Sequence, residues 1–182
     1  MAGQFSAVYR VLAGMEESGR LRRGYFVEHL GGSQFALPGA VDELRRDAED
    51  DSTVLLAATD PANPYGAALA WPSHDEAHRP GRKAGAVVIL VAGRVVLYLE
   101  RGGRTALSFT DDPASLRSAA HALADAARAG TLGRLSVARI DGADVLDRVV
   151  LAGPVATAMV EAGFGVTPRG LRTRMESRDA RR

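Results

Sequence analysis

Residues 84–109 read AGAVVILVAG, RVVLYLERGG and RTALSF. These are three runs rich in valine, isoleucine, leucine and tyrosine, parted at Gly93 and at Gly102-Gly103. Apolar runs of this length bounded by glycine are strand signals. So little chain lies between them that only tight turns fit, and tight turns join antiparallel neighbours. The stretch therefore predicts an antiparallel meander, and the rest of the chain must cover it. The longest apolar run, Ala84 to Val91, is strand length and far short of the roughly 20 residues of a membrane span.

The flanking segments supply that cover. Residues 54–58 predict a short strand. The stretch Asp60 to Gly81 holds four of the eight prolines and predicts an irregular loop with Trp71 embedded in it. Residues 111–129 predict a helix: Asp112 can cap it, Pro113 suits its first turn, and Leu116, Ala120, Leu123 and Ala127 form one stripe. Gly130 closes it. LSVARI (135–140) predicts a strand and Asp141-Gly142 a turn. Residues 143–162 predict helix broken near Gly153-Pro154 and ended by Gly163. LRTRM (171–175) predicts a last strand. The fold class is α+β: residues 54–176 form an antiparallel, barrel-like sheet module with packed helices, and residues 177–182 a polar tail.

The first 46 residues have a different pattern. Residues 4–18 predict a helix striped by Phe5, Val8, Leu12 and Met15, with Gly19 as its stop. Residues 21–28 are β-rich, Gly31-Gly32 offers a turn, and residues 33–36 return as a second strand. Pro38 then opens a helix with Val41 and Leu44 on one side. Helix, hairpin, helix is the back half of a winged helix. Its two front helices are absent, so the chain is expected to begin inside a larger domain. Residues 47–53, DAEDDST, carry four acids and predict a linker.

The 182 residues suffice for a real core, and the absence of cysteine excludes disulfides, thiolate metal sites and thiol catalysis. The N-terminus lacks an export signal pattern, which places the chain in the cytoplasm with no membrane partner. A net charge of +1 gives no bulk drive toward nucleic acid. Yet 22 of the 23 basic residues are arginine, with Lys83 the one lysine. A guanidinium binds phosphate in a bidentate manner wherever it is exposed.

Candidate chemistry is sparse. There is no G-x-x-x-x-G-K-[ST] phosphate loop and no G-x-S-x-G elbow. Gly102-Gly103, flanked by Arg101 and Arg104, could cradle a phosphate, or could be a hairpin turn with solvated arginines. Arg20, Arg22 and Arg23 lead into a wing strand followed by Tyr25 and Phe26, suited to phosphate contacts. Strand alternation puts Leu21, Arg23, Tyr25 and Val27 on one face, so Tyr25 is a core anchor or a stacking platform. His74 and His78 lie between Pro72 and Pro80, in what reads as a surface loop rather than a zinc helix, and His29 and His121 are isolated. Asp60, Glu100, Asp111, Asp112 and Asp141 take turn and cap roles. No metal site, cofactor or catalytic residue is assigned.

Four stretches carry a family resemblance: YRVLAGMEESGRLRRGYFVEHLGGSQFALPGAVDELR, DPANPYGAALAWP, GRKAGAVVILVAGRVVLYLERGGRTALSF and EAGFGVTPRGLRTR. In that order, from about residue 4 to 174, they resemble the C-terminal end of the bacterial large helicase-related proteins, Lhr, in their long form. The resemblance implies a parent that is an ATP-dependent DNA helicase of DNA repair, a hydrolase with its motor at the N-terminal end. It also implies a C-terminal half similar to the winged-helix DNA glycosylases. The helicase motifs have no counterpart here, so no ATPase or unwinding is expected of this chain. The implied role is accessory DNA binding through Arg20, Arg22, Arg23, Arg101 and Arg104. The implied partners are DNA and motor domains on the same or a neighbouring polypeptide. A DNA glycosylase module, for which Asp179 is one candidate acid, and a purely structural support domain are the alternatives.

Overall fold

The computed structural model describes residues 2–28, 31–46, 51–74 and 79–173. They divide into two compact units, residues 1–50 and 51–182, split within the acidic stretch. The expected tail, Asp179, His29 and His78 lie outside the described residues.

The first unit is helix α1 (Ala2–Glu17), strands β1 (Arg22–Gly24) and β2 (Gln34–Ala36), and helix α2 (Pro38–Arg46). The two strands pair antiparallel, Arg22 opposite Ala36 and Gly24 opposite Gln34. Strand β1 is far shorter than the β-rich run 21–28. The reason is Gln34, whose side chain takes over the backbone beyond Gly24. Its Oε1 accepts from the amides of Phe26 and Val27, each at 2.8 Å, and its Nε2 donates to the Val27 carbonyl at 3.0 Å. Bonds that would extend the ladder are made by one side chain instead. Gln34→Ala should destabilise this unit by about 1 kcal/mol, since it strips half-buried backbone groups of their partners. Faster hydrogen exchange at the Phe26 and Val27 amides is the check.

The second unit is organised by the meander. Strands β3 (Thr53–Ala57), β4 (Val87–Val91), β5 (Arg94–Leu99) and β6 (Thr105–Ser108) lie side by side and antiparallel. The turn between β4 and β5 is Ala92-Gly93, both with positive φ, the primed geometry that matches strand twist. Strand β6 then pairs in parallel with β8 (Arg139–Ile140), which hairpins through Asp141-Gly142 to β9 (Ala143–Asp144). The sheet is therefore mixed at one position, and its six strands form an open order, β3-β4-β5-β6-β8-β9, with no closure into a barrel.

Strand alternation gives this sheet two apolar faces. On one, Ile89, Leu97, Leu99 and Ala106 pack beneath α3 (Pro113–Arg128) and α5 (Pro154–Glu161). Helix α3 buries Leu116, Ala120 and Leu123, as its stripe predicts, and Asp112 caps it by accepting from the Ser115 amide at 2.9 Å. Those bonds to Ser115 hold the Asp112 carboxyl below its usual range. On the other face, Val88, Tyr98 and Leu107 pack beneath Tyr65, Trp71 and Phe109. The proline-rich loop is thus irregular, but it covers half the core. Arg82 pins its start, donating to the carbonyls of Asn63, Thr59 and Asp60 at 2.6–3.1 Å. Tyr98 pins its end, donating to the Gly81 carbonyl at 3.0 Å, and burial pushes its phenol pKa up.

The run 135–140 is not one strand. Ala138 and Arg139 both donate their amides to the Arg104 carbonyl, at 2.8 and 3.0 Å, and the chain changes sheets there. Strand β7 (Ser136–Val137) joins a second sheet of order β10-β11-β7, with β10 (Phe164–Thr167) and β11 (Gly170–Thr173). Strand β10 follows α5 directly and was not among the expected elements. The expected helix 143–162 is reduced to β9, the single turn α4 (Arg148–Leu151) and α5.

Candidate nucleic-acid interface

In the first unit the wing arginines have separate fates. Arg23 is locked down. Its Nη2 donates to Glu16 Oε2 at 2.5 Å, and its guanidinium lies 5.8 Å from the Tyr9 ring centre and 5.4 Å from that of Phe35. The two rings meet edge to face at 5.9 Å. This arginine ties α1 to the hairpin by ion pairing and cation–π contact, with its charge compensated. Arg20 and Arg22 are exposed and carry no ion pair among the described residues. Tyr25, at 92% exposure, is no core anchor: it stands out from the hairpin. Arg22 and Tyr25 on the hairpin, and Arg20 in the turn leading into it, therefore offer two free cations and an open ring.

In the second unit the β5–β6 turn does not gather its two arginines. The stem of Arg101 lies over Gly85, within 3.0 Å of where a Cβ would stand. Arg104 lines a different place, a cleft of about 490 Å³ shared with Ser136, Asp144, Pro168 and Arg169. Arg169 was not singled out by sequence. The available signal was Thr-Pro-Arg-Gly, a two-residue turn that presents its arginine at the tip. The Gly102-Gly103 amides are partly spent on the turn itself, where the Gly103 amide donates to the Glu100 carbonyl at 2.8 Å.

His74 lies in the loop, as expected, but its ring is half-buried and held. Its Nε2 is 2.9 Å from Asp141 Oδ1 and its ring packs edge-on against Phe109. Asp141 also accepts from the Ser108 amide at 2.7 Å and the Ser108 hydroxyl at 2.6 Å. Serine, aspartate and histidine are thus together, but the carboxylate sits between the other two. In that order the histidine cannot take the serine proton, so the group is a clamp rather than a nucleophilic triad. Among the described residues no group of three potential ligands could hold a metal, and no helix is long and apolar enough to cross a membrane.

Comparison with known proteins identifies relatives of the chain. Residues 1–55 match a family model described as the large helicase-related protein winged-helix domain. The chain is 54% identical over 181 residues to the "Lhr helicase/probable uracil glycosylase" of Mycolicibacterium smegmatis, an alignment that covers 94% of this chain and 12% of that protein. It is 37% identical over 177 residues to the "Lhr helicase/uracil glycosylase" of Escherichia coli, covering 93% of this chain and 11% of that protein. The chain thus spans about an eighth of the length of the curated relatives it matches. Both units take part in these alignments, and the winged-helix match covers the first. The chain belongs to the large helicase-related protein family, as a C-terminal region of it.

Proposed function

We propose that this chain is an accessory DNA-binding region of a cytoplasmic DNA-repair helicase, serving motor domains carried on the same or a neighbouring polypeptide. The observation that carries the reading is the pair of exposed, uncompensated wing arginines, Arg20 and Arg22, together with an exposed Tyr25, on the unit that matches the winged-helix model. Guanidinium groups free of carboxylates are available to phosphate, and phosphate contacts position a protein without reading sequence. The exposed ring adds a surface on which an unpaired base can stack. Arg23 contributes by holding the hairpin against α1, not by meeting phosphate. On the second unit, the exposed Arg101 and Arg104 are further, separate phosphate contacts.

The test compares two variants by fluorescence anisotropy. Arg20→Ala with Arg22→Ala should weaken binding to unrelated sequences about equally, by roughly tenfold. Arg178→Ala with Arg181→Ala and Arg182→Ala, in the basic tail, should cost less. If the tail variant loses binding and the wing variant keeps it, the hairpin is scaffold and the reading fails. The names of both relatives favour base excision as a second reading. Incubation with a uracil-containing strand followed by alkaline cleavage decides it, with Asp179→Asn as the control.

A further inference from the structure

We propose that the cleft between Arg104 and Arg169 seats a single phosphodiester of the bound strand, a reading that rests on the DNA binding proposed above. The cleft is built, not incidental. Arg169 sits at the tip of the two-residue turn between β10 and β11, where Thr167 pairs with Gly170. Thr167 Oγ1 donates to the Gly170 carbonyl at 2.8 Å and accepts from the Arg169 amide at 3.3 Å. Ser136 Oγ donates to the Arg169 carbonyl at 3.4 Å, fastening the turn to β7. Arg104 is fixed as well: its carbonyl takes the amides of Ala138 and Arg139 at the point where the chain changes sheets. Both arginines are thus held by their backbones while their side chains are exposed. Among the described residues neither guanidinium meets a carboxylate.

Asp144 also lines the cleft, but its Oδ1 accepts from the Leu146 amide at 2.9 Å and it pairs with neither arginine. Two arginines and one aspartate line the cleft, a formal charge of +1. That balance suits a monoanionic diester better than a dianionic phosphate. The volume, about 490 Å³, is within the range of small-molecule sites and admits the sugars flanking the phosphate.

Two measurements test this. The first titrates the intact chain with the thymidine dinucleoside monophosphate and follows backbone amides by NMR. Shifts at Arg104, Arg169 and Gly170, weaker with inorganic phosphate at pH 8, are expected. The second is the salt dependence of single-strand binding. Because one phosphate is shared, Arg104→Ala with Arg169→Ala should flatten the slope by about 0.7, one phosphate on a single strand. A change near 1.4 would mean two separate phosphates, and no change with silent amides would mean no site; either overturns the proposal. If the amides respond while long strands fail to bind, the cleft stands and the wider DNA-binding reading falls. If strands bind with the wing variant weakened and these amides silent, the reverse holds. Asp144→Asn should tighten diester binding severalfold. An unchanged melting curve for each variant shows that lost binding is not lost folding.

Discussion

Gly170→Ala should unfold the second unit at temperatures the parent chain survives. Gly170 has φ of +111°, and a Cβ built there would lie 2.1 Å from the Val137 carbonyl oxygen and 2.8 Å from its carbon. Both are backbone atoms, so no side-chain rotation relieves the clash. Strands β7 and β11, paired at Val137 and Leu171, would have to separate. Leu171 and Val137 are fully buried, so that separation opens the core. The expected cost is on the order of 4 kcal/mol or more, in the range reached only by specific structural failures. Gly130→Ala is the control. Gly130 also has a positive φ, +80°, but nothing lies within 4 Å of its would-be Cβ. It should cost only the backbone strain, about 1 kcal/mol. Calorimetry of both variants separates the clash from the strain; equal losses would show that the β7 contact is not the cause.

Asp141→Ala should be the next most damaging change, at about 3 kcal/mol. It removes a carboxylate that accepts from the Ser108 amide, the Ser108 hydroxyl and His74. Hydrogen bonds to charged groups contribute about 1.5–3 kcal/mol each, less where solvent can replace them. The backbone adds to the loss, because Asp141 has φ of +49°, where aspartate and asparagine are tolerated far better than alanine. Asp141→Asn keeps that tolerance and one acceptor, so it should lose about half as much. The clamp joins the proline-rich loop, β6 and the β8–β9 hairpin. Its loss should therefore raise hydrogen exchange at the Ser108 amide and quench the order of the loop around Trp71, seen as a red shift in tryptophan emission. A loop that stays ordered in Asp141→Ala would show that Arg82 and Tyr98 hold it unaided.

How far the sequence revealed this structure depended on whether the deciding contact was local. The meander and α3 were legible because glycine turns, strand alternation and an Asp-Pro helix start are properties of neighbouring residues. Strand β10 was not, since Phe164-Gly-Val-Thr is short and follows at once on Gly163, the glycine that stops α5. The run Leu135–Ile140 looked like one strand because nothing local marks Ala138, where the Arg104 carbonyl redirects the chain. The candidate interface divides the same way. Exposed arginines on a hairpin could be read from spacing. That Glu16, Tyr9 and Phe35 would gather around Arg23, leaving Arg20 and Arg22 free, depends on how α1 meets the hairpin. That Arg104 and Arg169, 65 residues apart, line one cleft likewise needed the second sheet. The contact that holds His74 was not legible because its partner, Asp141, is 67 residues away.

The central claim, sequence-independent DNA binding through a few exposed arginines, is tested most directly by the salt dependence of the unmodified chain. Anisotropy is measured on two duplexes of unrelated sequence from low to physiological salt. Three or four neutralised phosphates give a slope of log Kobs against log salt of about −3, the same for both sequences. Affinity at physiological salt should be micromolar or weaker, as for non-specific contacts in general. A slope near zero, or a marked preference for one sequence, would contradict the account.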